Sequence, residues 1–206
     1  MMGQWLALLL SVAAMGCAAT DGRGFGSLEG QIGVELLRDR FSTGGKEAIA
    51  TEVVVRLRGI EIEGDRVRKD GGIEHVVAGV VVGAEFTPLT GYVQSRFGPA
   101  ELDHAAYAKL SAVVHSIDVS GSLDGKHFHV AAAPPEGIRV ASPADLPVDR
   151  DHLPLITVTG KLKLPTTLLE GVDLDPAADV AKVAAALIVN LKAGASFEAT
   201  WVREDD

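Results

Sequence analysis

The sequence has little of what usually identifies a class of protein. It contains one cysteine, Cys17, so no disulfide within the chain can stabilise the fold. Its 28 acidic side chains outnumber 19 basic ones, and the net charge of −9 argues against a nucleic-acid partner, which needs a basic surface. The sequence shows no phosphate-binding loop, dinucleotide fingerprint, HExxH helix or GxSxG elbow. We therefore assign no catalytic residue and no cofactor, and we expect stability to come from a hydrophobic core.

Charged side chains are also missing from the first twenty residues, since the earliest is Asp21. Residues 5–14 form an uncharged run rich in Leu and Ala, which is typical of the hydrophobic part of a secretory signal peptide. The run is too short for a helix that crosses a bilayer, which needs about 20 apolar residues. The pattern predicts a removable signal peptide over residues 1–16.

The residues that end this run carry a second signal. Ala14, Met15 and Gly16 precede Cys17, and this tetrapeptide resembles the lipobox of bacterial lipoproteins. The resemblance implies that Cys17 is acylated, that the lipid anchors the protein to a membrane, and that residues 17–27 form a flexible tether. Ala18 follows the cysteine, which implies the outer membrane if the host is Gram-negative. The alternative is an ordinary signal peptide cut near Cys17, which would leave a soluble periplasmic or secreted protein.

The remaining residues, 28–206, are enough for a single domain, and their pattern predicts mostly β-strands. Residues 155–164 and 195–202 alternate cleanly between apolar and polar, so each strand has one face in water, which favours antiparallel pairing. The apolar phase reverses at Arg58 and Gly59, which predicts a β-bulge. The expected fold class is α+β, mainly β: an antiparallel sandwich or partly closed barrel of about seven to nine strands with one or two packing helices.

Two segments are candidates for those helices. Asp175 followed by Pro176 predicts a helix N-terminus, and apolar residues then form one stripe up to Leu191. Residues 99–110, with acidic residues in the first turn, are the second candidate. The nearly continuous apolar run 73–86 predicts a strand covered on both faces, with a helix over it. Residues 132–154 hold five of the nine prolines and predict a long irregular segment.

Asp124 and Gly125 lie between two alternating segments and predict a β-hairpin with a two-residue turn. In the register that this turn sets, Leu123 lies opposite Lys126. One face of the hairpin then collects the polar side chains Asp118, Ser120, Ser122, His127 and His129.

This polar face is the main candidate for chemistry that the sequence offers. His127 and His129 point the same way from one strand and, with Asp118, are candidate metal ligands. Serine, histidine and aspartate also occur together here, but a flat sheet face supplies no oxyanion hole for a hydrolase site. A solvated polar face is the structural alternative.

Three functions follow from these patterns. The first is a non-enzymatic lipoprotein of the cell envelope that acts as a binding or structural module, with an envelope protein or a small molecule as its partner. The second is a carrier that holds an apolar molecule between the sheet and a helix. The third is a metal-dependent or hydrolytic enzyme that uses the face of His127 and His129.

Overall fold

The computed structural model describes residues 26–87, 89, 91–148 and 154–204. The signal peptide, Cys17 and the tether as far as residue 25 lie outside the described residues. Within them the chain forms eleven strands and one helix. The strands are β1 (Gly26–Leu36), β2 (Arg40–Thr43), β3 (Lys46–Val67), β4 (Ile73–Val81), β5 (Glu85–Phe86), β6 (Gly91–Leu102), β7 (Ala105–Leu123), β8 (Lys126–Ala132), β9 (Ile138–Val148), β10 (Leu155–Leu164) and β11 (Ser196–Glu204), and the helix is α1 (Val180–Gly194).

The strands form two sheets, which confirms the predicted mainly β fold with a packing helix. The larger sheet has seven strands, curls into a half-barrel and is antiparallel, with β3 and β7 at its centre. The smaller sheet has the order β11-β10-β1-β6. Here β10 pairs antiparallel with β11 but parallel with β1, so the expectation of purely antiparallel pairing is wrong for β10. The alternation of β10 shows that one face is buried, and it carries no information about the direction of a neighbouring strand.

The core lies between the two sheets. Ile32 and Val34 of β1 and Val158 and Leu162 of β10 are fully buried on the inner face of the smaller sheet. The long central strands β3 and β7 supply the opposite wall. The core-facing residues of β3 change from odd to even positions, as predicted. The register with β7 shifts on both sides of Leu57, and Arg58 has no partner on β7. The bulge keeps the apolar residues of both halves of β3 in the core.

The helix α1 completes the core along β8. Val183, Leu187 and Leu191 form its buried stripe. Its N-cap is Asp179, whose carboxylate accepts hydrogen bonds from the backbone N–H groups of residues 181 and 182. The predicted N-cap, Asp175, is therefore wrong by four residues, because its side chain instead accepts from Ala177 N in a preceding turn.

Two segments were expected to have other structures. Residues 99–110 are not a helix: they contain the end of β6, which pairs with β1, a two-residue corner, and the start of β7, which pairs with β3 on one side and with β9 on the other. Residues 132–154 are not one long irregular segment, since they contain β9. Pro143 and Pro147 are tolerated there because, among the described strands, β9 pairs with β7 alone, so a proline nitrogen can lie on its other edge.

The apolar run 73–86 is covered on one face only, so the prediction of a strand buried on both faces is wrong. Val76, Ala78 and Val80 of β4 pack against the core. Ile73 and Val81 on the other face are 75% and 83% exposed. The only helix among the described residues packs mainly on β8, at a different part of the larger sheet.

The strand directions give the molecule two distinct ends. The N-terminal end contains Gly26, the corner between β6 and β7, the end of β9 and the turn between β3 and β4. The distal end contains the β2–β3 turn, the β7–β8 turn and the segment 165–179 between β10 and α1. Since β3 alone has 22 residues and runs from one end to the other, the two ends are separated by nearly the whole molecule.

Candidate functional site

An open cleft of about 690 Å³ lies at the distal end, between the two hairpin turns and the segment 165–179. Its walls include Thr43, Lys46, Leu123, Lys126, Val172 and Leu174. Three separate parts of the chain meet here, so tertiary structure is needed to assemble the cleft.

Both hairpin turns are two-residue turns with a left-handed backbone. Gly44 and Gly45 have φ angles of 56° and 76°, and Asp124 and Gly125 have φ angles of 51° and 77°. Positive φ at both positions is the type I′ geometry that matches the twist of paired strands, and Gly and Asp adopt it readily. The predicted hairpin is confirmed, including the pairing of Leu123 with Lys126.

The segment 165–179 is held in place by hydrogen bonds to its own turns and to its surroundings. The Asn190 side-chain amide of α1 donates to the carbonyls of Leu168 and Glu170 at 3.0 and 2.8 Å. On the opposite side, the Thr43 hydroxyl donates to the Val172 carbonyl at 2.9 Å, and both residues are buried. This bond ties the segment to the β2–β3 turn and fixes the width of the cleft.

The cleft combines apolar walls with charges of both signs. Lys46 forms an ion pair with Asp124 across its rim. Lys126 is exposed and makes no ion pair with another described residue, so its ammonium group is available to a ligand. The carboxylate of Asp173 accepts from Asp175 N in a turn and keeps further acceptor capacity toward the solvent. A partner that carries both apolar and charged groups could contact the apolar walls and these charged side chains at the same time.

A second, smaller cleft of about 200 Å³ lies on the other side of the same segment. It shares the residues 173–176 with the first and adds His129, Val180 and Val183. The segment is therefore a ridge that presents side chains to both clefts.

The candidate metal ligands lie on β7 and β8, beside this second cleft. His129 Nε2 is 3.7 Å from Asp118 Oδ1. The other oxygen of Asp118, however, accepts a hydrogen bond from Arg56 at 2.7 Å, and Arg56 is paired with Glu85 as well. A search of the described residues finds no group of three His, Cys, Asp or Glu side chains that could hold a metal ion. The metal site with His127 stays a prediction. Arg56 is 62 residues from Asp118 in the chain, so no local pattern indicated that its guanidinium would compete for this carboxylate.

A second charged cluster, which sequence reasoning missed, lies at the N-terminal end. Arg66 pairs with Glu74 and with Asp103. Burial alone would raise the pKa of Asp103, but hydrogen bonds from the backbone and ring of His104, together with the charge of Arg66, bring that pKa below its usual value. Burial and the nearby Asp103 charge raise the pKa of Tyr107 to about 12. The cluster fixes the corner between β6 and β7.

Comparisons with protein family models, with curated proteins and with solved structures found no match. Within the described residues, no helix combines the length and the hydrophobicity that crossing a membrane requires.

Proposed function

We propose that this protein is a lipoprotein of the cell envelope, acylated at Cys17, whose β domain binds another envelope protein in the distal cleft. The observation that carries the proposal is the position of the cleft. The described chain begins at Gly26, at the N-terminal end, whereas the cleft opens at the distal end. A tether that leaves from Gly26 would hold the cleft away from the membrane, where a partner can reach it.

The packing of the core favours a protein partner over an apolar small molecule. The inner faces of both sheets are filled by side chains such as Val34, Ile62 and Leu162, each fully buried. A carrier needs an enclosed apolar space of ligand size between such layers. The distal cleft is open and carries charges on its rim, as expected of a surface for a polypeptide.

The anchor is tested by replacing Cys17. Wild-type protein labelled in cells with a fatty-acid analogue should carry the label and remain in the membrane fraction. Cys17→Ser should lose both properties, because the acylated thiol is gone. A Cys17→Ser protein that is still labelled and still membrane-bound would contradict lipidation at this residue. Comparison of outer and inner membrane fractions tests the proposed outer-membrane location.

The cleft is tested by photocrosslinking in living cells. A photoreactive residue at position 126 should give one discrete adduct with an envelope protein. The matched control is position 58, a basic residue that is also exposed but lies at the β3 bulge. Leu123→Asp should reduce the adduct at position 126, because it places a charge on an apolar wall. Equal adducts at positions 58 and 126, or none at either, would contradict binding at the distal cleft.

A further inference from the structure

The turn between β3 and β4 projects from the N-terminal end of the molecule. The last residue of β3 that pairs with β7 is Asp65. Beyond it, β3 and β4 continue as a two-stranded hairpin that closes around residues 68–72, with the Arg68 N–H donating to the Gly72 carbonyl at 2.7 Å. This turn therefore extends past the sheet that supports it.

The projecting turn is apolar on one face and basic at its tip. Val67 and Ile73 are cross-strand partners, and they are 68% and 75% exposed. Arg68 has 54% of its side chain exposed and forms a long ion pair with Glu74 at 3.4 Å, and Lys69 is exposed without an ion pair to another described residue. Asp70, between these cations and the end of the turn, is also exposed, and its carboxylate accepts a hydrogen bond from Gly72 N at 2.9 Å. Exposed aliphatic residues can bury their side chains at the boundary of the headgroups, and neighbouring cations attract anionic phospholipids, so this combination suits contact with a bilayer.

Contacts in the structure connect this turn to the point where the chain enters the domain. Gly26 is the strand partner of Leu102. The next residue, Asp103, forms an ion pair with Arg66 at the base of the turn. The start of the described chain and the turn are thus on the same end of the molecule and are linked by one residue pair and one ion pair.

The short segment between Cys17 and Gly26 limits the distance between this end of the molecule and the membrane. Eight residues separate Cys17 from Gly26, and at about 3.4 Å per residue they span roughly 30 Å when fully extended. If Cys17 carries the lipid, the N-terminal end cannot move farther than this from the bilayer surface.

We propose that the β3–β4 turn is a second contact with the phospholipid bilayer. Val67 and Ile73 enter the interfacial region, and the cations of Arg68 and Lys69 lie at the level of the phosphates. The inference rests on the proposed acylation of Cys17 and adds an orientation: the domain stands on this turn with the distal cleft pointing away. The acyl chains on Cys17 would hold the N-terminal end at the bilayer, and a basic and apolar patch beside them adds a contact that fixes the orientation of the domain.

The test uses acylated protein purified from membranes and reconstituted into vesicles of phosphatidylglycerol and phosphatidylethanolamine. An environment-sensitive fluorophore is attached to Ile73→Cys and, as a control, to Val81→Cys. Both residues are exposed and on the same face of β4, but they are eight positions, or about 27 Å, apart. The fluorophore at position 73 should shift to the blue and gain intensity severalfold in vesicles and be quenched by spin-labelled lipid, whereas the one at position 81 should stay aqueous.

The charge requirement is tested in the same assay with Lys69→Glu, which should reduce the spectral shift at position 73. A fluorophore at position 73 that stays aqueous in protein that floats with the vesicles would overturn the proposed contact and leave the anchor intact. Wild-type protein without an added cysteine serves as the control for the anchor. If it reacts with the fluorophore at Cys17 and does not float with vesicles, the acylation itself is wrong, and the orientation fails with it.

Discussion

The hydrogen bond from Thr43 to Val172 offers a sharp test of how the distal cleft is built. Thr43→Val keeps the shape of the side chain and the preference for β structure but removes the hydroxyl. The carbonyl of Val172, which is buried and 2.9 Å from that hydroxyl, would then lose its partner. Leaving a buried acceptor unsatisfied costs about 1–3 kcal/mol.

The matched control is Thr43→Ser, which keeps the hydroxyl and removes one methyl group. Its expected cost is about 0.8 kcal/mol for the lost buried methyl. The free energy of unfolding in urea should therefore fall more for Thr43→Val than for Thr43→Ser. In a thermal scan each kcal/mol corresponds to a decrease of roughly 2–4 °C in Tm for a domain of this size.

Hydrogen exchange shows whether the effect is local. In Thr43→Val, the amides of residues 171–177 should exchange faster than in wild type, while those of the central strands β3 and β7 should change only as much as global stability does. If Thr43→Val is as stable as wild type and Thr43→Ser is the weaker variant, methyl packing and not the hydrogen bond holds the segment, and our account of the cleft is wrong.

The helix cap, a buried hydroxyl and a buried phenol give three further predictions. Asp179→Ala should lower the free energy of unfolding in urea by about 0.5–2 kcal/mol and by more than Asp175→Ala does; the reverse order would contradict the observed N-cap. Ser111 is fully buried and its hydroxyl has no partner among the described residues, so Ser111→Ala should be neutral or stabilising, and a loss above about 1 kcal/mol would refute this. The pKa of Tyr107, raised to about 12, lies above that of an unfolded tyrosine near 10. Its neutral phenol should therefore contribute stability that is fully present below about pH 10 and lost as the pH rises through 12, and Tyr107→Phe should remove the last step of an absorbance titration.

Local sequence patterns were sufficient to predict those parts of the fold that depend on residues close together in the chain. The two-residue turn at Asp124 and Gly125, the pairing that follows from it and the phase change near Gly59 were all predicted correctly. Turn geometry and the two-residue period of a strand are local properties, so distant residues do not alter them. The buried stripe of α1 was visible for the same reason.

Local signals failed where distant strands compete for a segment. Acidic residues after Pro99 are typical of a helix start, yet pairing with β3 and β9 makes the following residues a strand. Prolines at 143 and 147 are typical of irregular structure, yet an edge strand accepts them. An apolar run such as that of β4 does not show which face will meet the core, because this depends on how the sheet curls.

The sequence by itself determined the hairpin register at Asp124 and Gly125, the buried stripe of α1 and, through the pattern around Cys17, the expectation of an anchor. Only the tertiary structure decided that two type I′ turns and the segment 165–179 meet in a cleft, that Arg56 lies on the carboxylate of Asp118, and that the β3–β4 turn lies at the same end as Gly26. The physical reason is that these arrangements join residues far apart in the chain. Their positions depend on strand order and sheet curvature, which no local pattern specifies.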